Sequence, residues 1–234
     1  MSSLFILLQP QLEQVSQCLN EETNKRKRRR MLEGFSWPSL SFLERNLLPS
    51  LVLLSSRSQG HLFPKAVYLA AVLQFIFLAT LTHNDVEQQI GPRILIGDYF
   101  YACFFNLLCR GKILEFMEPL SNLICDIHLD VVRKLDCNPE ETADKTYPNS
   151  FKEREYLAVA ATVLGSRLGQ TNSREALLWE EIGRCIGKLW SGKPEGVKTL
   201  RVLEKLAPGP TRDMLGELVS HLSVTSPLRR VIAL

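Results

Sequence analysis

The chain lacks the usual signatures of zinc and disulfide chemistry. Its six cysteines, at positions 18, 103, 109, 125, 137 and 185, form no C-x-x-C pair and no framework of close spacings. Its four histidines form no H-x-x-x-H or Cys/His cluster. Scattered thiols of this kind read as reduced cysteines of a cytosolic protein and argue against a zinc enzyme. A strong excess of one charge is missing too. Lys and Arg number 28 and Asp and Glu 25, so 234 residues carry a net charge of only +3. That balance, with abundant apolar residues, points neither to disorder nor to a nucleic-acid specialist. Strand signals are nearly absent: there is no run of alternating β-branched residues and no Asn-Gly or Asp-Gly hairpin between apolar stretches. The apolar stretch Met1 to Leu8 has no basic region ahead of it and no small-residue cleavage site, a poor fit to a signal peptide.

What is present is helical periodicity. Leu8, Leu12, Val15 and Leu19 recur at helical spacing and mark an amphipathic first helix. The same reading predicts helices at roughly 4–20, 40–57, 64–86, 93–109, 112–134, 151–169, 173–190, 196–206 and 211–222. Breaks fall at Gly34 to Pro38, Gly60 to Pro64, Gly91-Pro92, Asn138-Pro139, Tyr147-Pro148, Gly192 to Pro194 and Pro208 to Pro210. An all-α fold is expected, as one domain over 1–234, a length that can enclose a large core. Ala66 to Leu81 is almost wholly apolar, which raises a membrane span as the alternative. It is short for a span and carries Gln74 near its centre, so a helix buried on all sides is the reading. The run Lys25 to Arg30 could attract phosphates, an anionic membrane or nucleic acid. It reads as part of a solvated loop over 21–36, with no nucleic-acid partner and at most peripheral membrane contact.

The most informative stretch begins at Gln74 and reads QFIFLATLTHNDVEQQIGPRILIGDYF. Leu81, His83, Asp85, Gly97, Asp98 and Tyr99 match, in type and order, the pattern E-x-x-H-x-x-x-L-x-H-D-D-x-x-D followed by L-x-G-D-Y. In these residues the chain resembles the trans-polyprenyl diphosphate synthases. Pro49 to Leu54 is similar to that family's R-P-x-L-V-L-L segment. Val163 to Gly169 and Ile182 to Gly187 resemble its glycine-marked pair of helices. The resemblance covers about residues 40–190 and implies an isoprenoid-synthase helical bundle around a central cavity.

In that family, the resemblance implies, magnesium ions held by carboxylates neutralise the departing pyrophosphate. The first and fifth residues of D-D-x-x-D share a helical face and grip metal together. Here the motif reads Asn84, Asp85 and Gln88, so both facing carboxylates are amides, and Glu87 points elsewhere on a helix. The second aspartate-rich motif would fall in Lys188 to Glu195, which has no paired aspartates, and Pro194 would end the helix presenting them. The family's basic G-G-K-R-x-R-P segment aligns with Arg45, Asn46 and Leu48. Its arginine pair after the first motif is reduced to Arg93. Its lysine-threonine pair is missing around Glu153-Arg154.

The reading is a chain with no catalytic and no metal-binding residues, acting as the regulatory subunit of a heteromeric synthase whose catalytic partner binds Mg2+. It would help set prenyl chain length, with the prenyl chain as a candidate contact, for quinone side chains such as that of menaquinone. Small residues at Ala79 and Thr80 match positions that floor the family's cavity. The family's dimer-forming helices correspond to about 95–108 and 113–135, so Phe100, Phe104, Phe105, Leu108, Phe116 and Leu120 are expected at the partner interface. Three alternatives stay open: a stand-alone isoprenoid- or lipid-binding protein, a weak enzyme using Asp126, Asp130 or Asp136, and an unrelated helical protein.

Overall fold

The structure, a computed structural model, describes residues 3–27, 39–57, 63–84, 90–136 and 152–225. Among these residues there are nine α-helices and no strand. They are α1 (Ser3–Lys27), α2 (Phe42–Ser56), α3 (Pro64–Asn84), α4 (Ile90–Arg110), α5 (Met117–Asp136), α6 (Lys152–Leu168), α7 (Ser173–Trp190), α8 (Gly196–Leu203) and α9 (Pro210–Thr225). A 3-10 turn, Leu114–Phe116, precedes α5.

Local chemistry sets the helix ends. Ser41 and Glu44 form a capping box at the start of α2: Glu44 N donates to Ser41 Oγ at 3.2 Å and Ser41 N to Glu44 Oε2 at 3.0 Å. At α7, Glu175 N donates to Asn172 Oδ1 at 2.9 Å. Helix α7 stops because Gly192 adopts φ 87°, a conformation that costs glycine little, and Lys193 N reaches back to Lys188 O at 3.0 Å. The stop therefore precedes Pro194 instead of being imposed by it.

Two sequence expectations shift. Helix α1 continues to Lys27, so Lys25, Arg26 and Lys27 are helical and not the start of a loop; Arg28 to Arg30 lie outside the described residues. The break expected at Gly91-Pro92 falls inside the first turn of α4, where a missing N–H costs no intrahelical bond.

Helix α3 is the hub. It packs on α1, α2, α4 and α6, while α6 packs on α2, α5 and α7. In its most apolar window 78% of residues are buried inside the protein, the behaviour of a core helix. Gln74, 1% exposed at its centre, donates from Nε2 to Glu44 O at 3.1 Å, which offsets part of the cost of burying an amide. Helices α6 and α7 approach at backbone distance. A Cβ on Gly187 would lie 2.5 Å from Glu155 Cα, and one on Gly183 2.7 Å from Val159 Cα. Glycine at these two positions is what allows the contact.

Candidate functional site

The first region to which the motifs point is the junction of α3, α4 and α5. Helix α3 ends at the exposed Asn84. Asp85 and Gln88, like Glu87, lie outside the described residues, and so does the side chain of Arg93. The motif residues that are described do converge. Gly97 lies directly against the imidazole of His83, Asp98 Oδ1 is 3.8 Å from His83 Nε2, and the Tyr99 hydroxyl donates to Thr23 O at 3.2 Å. Helices α3 and α4 thus meet through His83 and Gly97, and α4 is tied to α1 through Tyr99.

The His83 ring also faces Tyr101 and His128, with ring centroids 5.7 Å and 5.8 Å away. Tyr101 Oη and His128 Nε2 are 2.9 Å apart. Burial, reinforced by the charge of Asp98, pushes the Tyr101 phenol up to about 12, with the neighbouring Thr80 side chain acting the other way. Burial, then the neighbouring His83, pushes His128 down. Near neutral pH the phenol therefore keeps its proton and the imidazole is neutral, so one hydrogen bond joins them, its direction set by the His128 tautomer. Sequence reading missed this pair, because neither residue belongs to a recognisable spacing.

A second constellation joins the N-terminal ends of α2 and α6 to the C-terminal end of α7. Arg154 Nη2 donates to Glu44 Oε1 at 3.1 Å and Nη1 to Trp190 O at 3.1 Å, and its guanidinium stands 5.0 Å from the Trp190 ring centroid. Trp190 in turn packs on Phe77 at 5.2 Å. Burial lowers the Arg154 pKa, opposed by Glu44 and Glu153, yet an arginine stays charged at neutral pH. Sequence reading considered Glu153-Arg154 only as a place where a lysine-threonine pair is missing. The inward-turned Arg154 went unseen: the S-x-x-E pattern at Ser41 to Glu44 marks a helix start but does not point to Arg154.

Other predicted residues are placed as follows. Arg45 is exposed and donates from Nε back to Leu40 O at 3.0 Å. Ala79 and Thr80 are buried, and the Thr80 hydroxyl donates to Ile76 O at 2.9 Å. The expected interface set needs correction. Phe100, Phe104, Leu108, Phe116 and Leu120 are buried in the chain's own core, at 0 to 5% exposure, and only Phe105, at 47%, faces outward. Periodicity identifies the apolar face of a helix but does not say whether that face meets the same chain or another. The outward apolar side chains of this region are instead Ile94, Leu95, Phe105, Leu114, Leu129 and Val132. Asp126 is exposed whereas Asp130 is buried with Lys152 Nζ at 3.4 Å, so these two carboxylates occupy different environments. The side chain of Asp136 lies outside the described residues.

Among the described residues no group of three or more His, Cys, Asp and Glu side chains could hold a metal ion. Magnesium takes near-octahedral oxygen ligands with carboxylates among them. The described residues offer the amide of Asn84 and, beside His83, the single carboxylate of Asp98 at one place. At the other they offer a turn, Ser191 to Glu195, whose one carboxylate lies 3.4 Å from Lys198. This donor set does not fit a magnesium cluster.

No family model matches the chain. It is 26% identical over 211 residues to a short chain isoprenyl diphosphate synthase of Methanothermobacter thermautotrophicus, covering 72% of this chain and 65% of that one. It is 25% identical over 163 residues to the octaprenyl diphosphate synthase of Escherichia coli, covering 61% and 50%. The chain thus spans between half and about two thirds of the length of these curated relatives. Among solved structures, a decaprenyl diphosphate synthase from Rhodobacter capsulatus superposes with a TM-score of 0.74 at 18% identity, covering 96% of this chain and 98% of that one. A polyprenyl synthase from Caulobacter crescentus, complexed with calcium and isoprenyl diphosphate, gives 0.77 at 14%, covering 95% and 97%. A mint heterotetrameric geranyl pyrophosphate synthase deletion mutant gives 0.65 at 14%, covering 94% and 100%. The chain has the all-α isoprenoid-synthase fold, and its sequence relatives and structural neighbours are trans-polyprenyl diphosphate synthases.

Proposed function

We propose that the chain is a non-catalytic subunit of a heteromeric trans-polyprenyl diphosphate synthase. It pairs with a catalytic subunit that carries the magnesium ions and helps set the length of the prenyl chain, with a cytoplasmic role in making quinone side chains such as that of menaquinone. The observation that carries this reading is the contrast at the end of α3. The scaffold residues His83 and Gly97 are packed together and Tyr99 ties α4 to α1, while the adjoining position, Asn84, brings an amide where charge on an oxygen is needed to hold a divalent ion. The heterotetrameric mint synthase supports the idea that this fold serves in mixed assemblies. The outward apolar side chains Ile94, Leu95, Phe105, Leu114, Leu129 and Val132 supply a surface of the kind that subunits cover.

The test is co-expression with the polyprenyl synthase of the same genome, followed by size-exclusion chromatography and analysis of prenyl products. A co-eluting complex whose product is longer, or formed faster, than that of the partner alone supports the proposal. A partner that makes the same product at the same rate without this chain refutes it, and a monomer isolated with bound prenyl lipid would favour a stand-alone carrier.

A further inference from the structure

Arg154 contacts two helices other than its own and, through one of them, a third. It reaches Glu44 at the start of α2, the last carbonyl and the ring of Trp190 at the end of α7, and through that ring Phe77 on α3. The two charged side chains lie at the boundary with water, at 23% and 22% exposure, whereas Trp190 and Phe77 beneath them are 6% and 0% exposed. The final carbonyls of a helix have no partner within it. The guanidinium supplies one from another helix, so a single side chain closes α7 and clamps it to α2. Directly under Glu44, Gln74 Oε1 is buried and accepts no hydrogen bond from the protein, although Nε2 of the same amide is bound to Glu44 O. That acceptor is a buried polar group which the protein's own donors do not satisfy. A charged pair at the water boundary thus covers an aromatic pair and a buried polar group where the ends of α2, α6 and α7 adjoin.

We infer that Arg154 is a latch: engaged with Glu44 and Trp190 it holds the adjoining ends of α2, α6 and α7 shut over Phe77 and Gln74, and its release opens the interior at that end. This inference does not depend on the chain having a partner.

The test uses the full chain and the variants Glu44→Gln, Arg154→Gln and the double variant. Amide hydrogen exchange is followed in peptides covering 153–158 and 186–191, with Trp190 quenching by acrylamide read against Trp190→Phe. Each single variant is expected to speed exchange in both peptides about tenfold or more, the size of a lost charge-assisted hydrogen bond, while peptides of α4 and α5 are unchanged. The double variant should add little to Arg154→Gln, which already removes the contact with Glu44. Arg154→Lys keeps the charge but loses the planar stack and fork. It is expected to fall between the wild type and Arg154→Gln, and it provides the same readout if the glutamine variant fails to fold. Exchange unchanged within about twofold at both ends, or raised equally throughout the chain, overturns the latch.

Discussion

Gly97 and His83 occupy the same space: a Cβ on Gly97 would overlap the imidazole ring itself. Two residues that the sequence places in separate motifs, one at the end of α3 and one two turns into α4, are therefore a single packing unit. Gly97→Ala must push the ring out or spread the helices, an overpacking cost of about 1–3 kcal/mol. For a chain of this size each kcal/mol lowers the melting temperature by about 2–4 °C, which differential scanning calorimetry resolves.

The contact between α6 and α7 makes the same kind of prediction with less room for escape. At Gly187 the obstacles are backbone atoms, Glu155 Cα at 2.5 Å and Arg154 O at 3.0 Å, which cannot rotate away as a side chain can. Gly187→Ala should therefore destabilise more than Gly216→Ala, where an added Cβ meets nothing within 4 Å. In α9 that second change should even stabilise slightly, by about 0.5–1 kcal/mol, because alanine prefers the helix. Urea denaturation of the two variants checks the order.

Much of this architecture was legible in advance, because the helices of such a chain advertise themselves. A capping box at Ser41, an asparagine cap at Asn172, prolines opening α3 and α9 and the apolar run of α3 are all local signals, and local signals survive without knowledge of the fold. The recognisable motif around His83 was legible for the same reason. What could not be read was direction. The apolar positions of α4 and α5 looked alike in sequence, yet Phe104 turns inward and Phe105 outward. Contacts between distant segments were invisible too. Glu44 and Arg154 are 110 positions apart, and nothing in either neighbourhood indicates the other.

A buried carboxylate anchors the end of α1. Glu22, 2% exposed, accepts hydrogen bonds from Asn106 and Arg110 of α4. Arg110→Ala would take one cation away from that interior carboxylate, a loss of about 3 kcal/mol. Tyr99→Phe, which removes only the hydrogen bond to Thr23 O, should cost about 1 kcal/mol. Equilibrium unfolding of both variants tests whether the charge, and not mere contact, carries the attachment.

Stability should depend on His128. Its pKa is held below the ordinary histidine value by burial and by His83, so the unfolded chain binds a proton more readily than the folded one. This contribution to stability is present above about pH 6.5 and is lost as the pH falls through the lower folded value. The melting temperature is expected to drop between neutral and mildly acidic pH, and less steeply in His128→Gln. An equal slope in both proteins would show that other groups control the acid limb.

Restoring carboxylates at the first motif separates metal binding from turnover. With Asn84→Asp and Gln88→Asp the chain should bind magnesium more tightly than the wild type by calorimetry. Condensation of an allylic diphosphate with isopentenyl diphosphate should remain undetectable in the isolated protein. Product formation by the double variant alone would contradict the subunit proposal.

The left-handed turn at Gly192 has a consequence for anyone wishing to rebuild the opposite wall of the site. Aspartates written into Gly192 to Glu195 would not continue the axis of α7, since the chain has already turned off it. A side chain other than glycine at position 192 would also strain the backbone. Repair there is a matter of rerouting the main chain, by lengthening the helix and replacing its terminator, and no exchange of side chains alone achieves it.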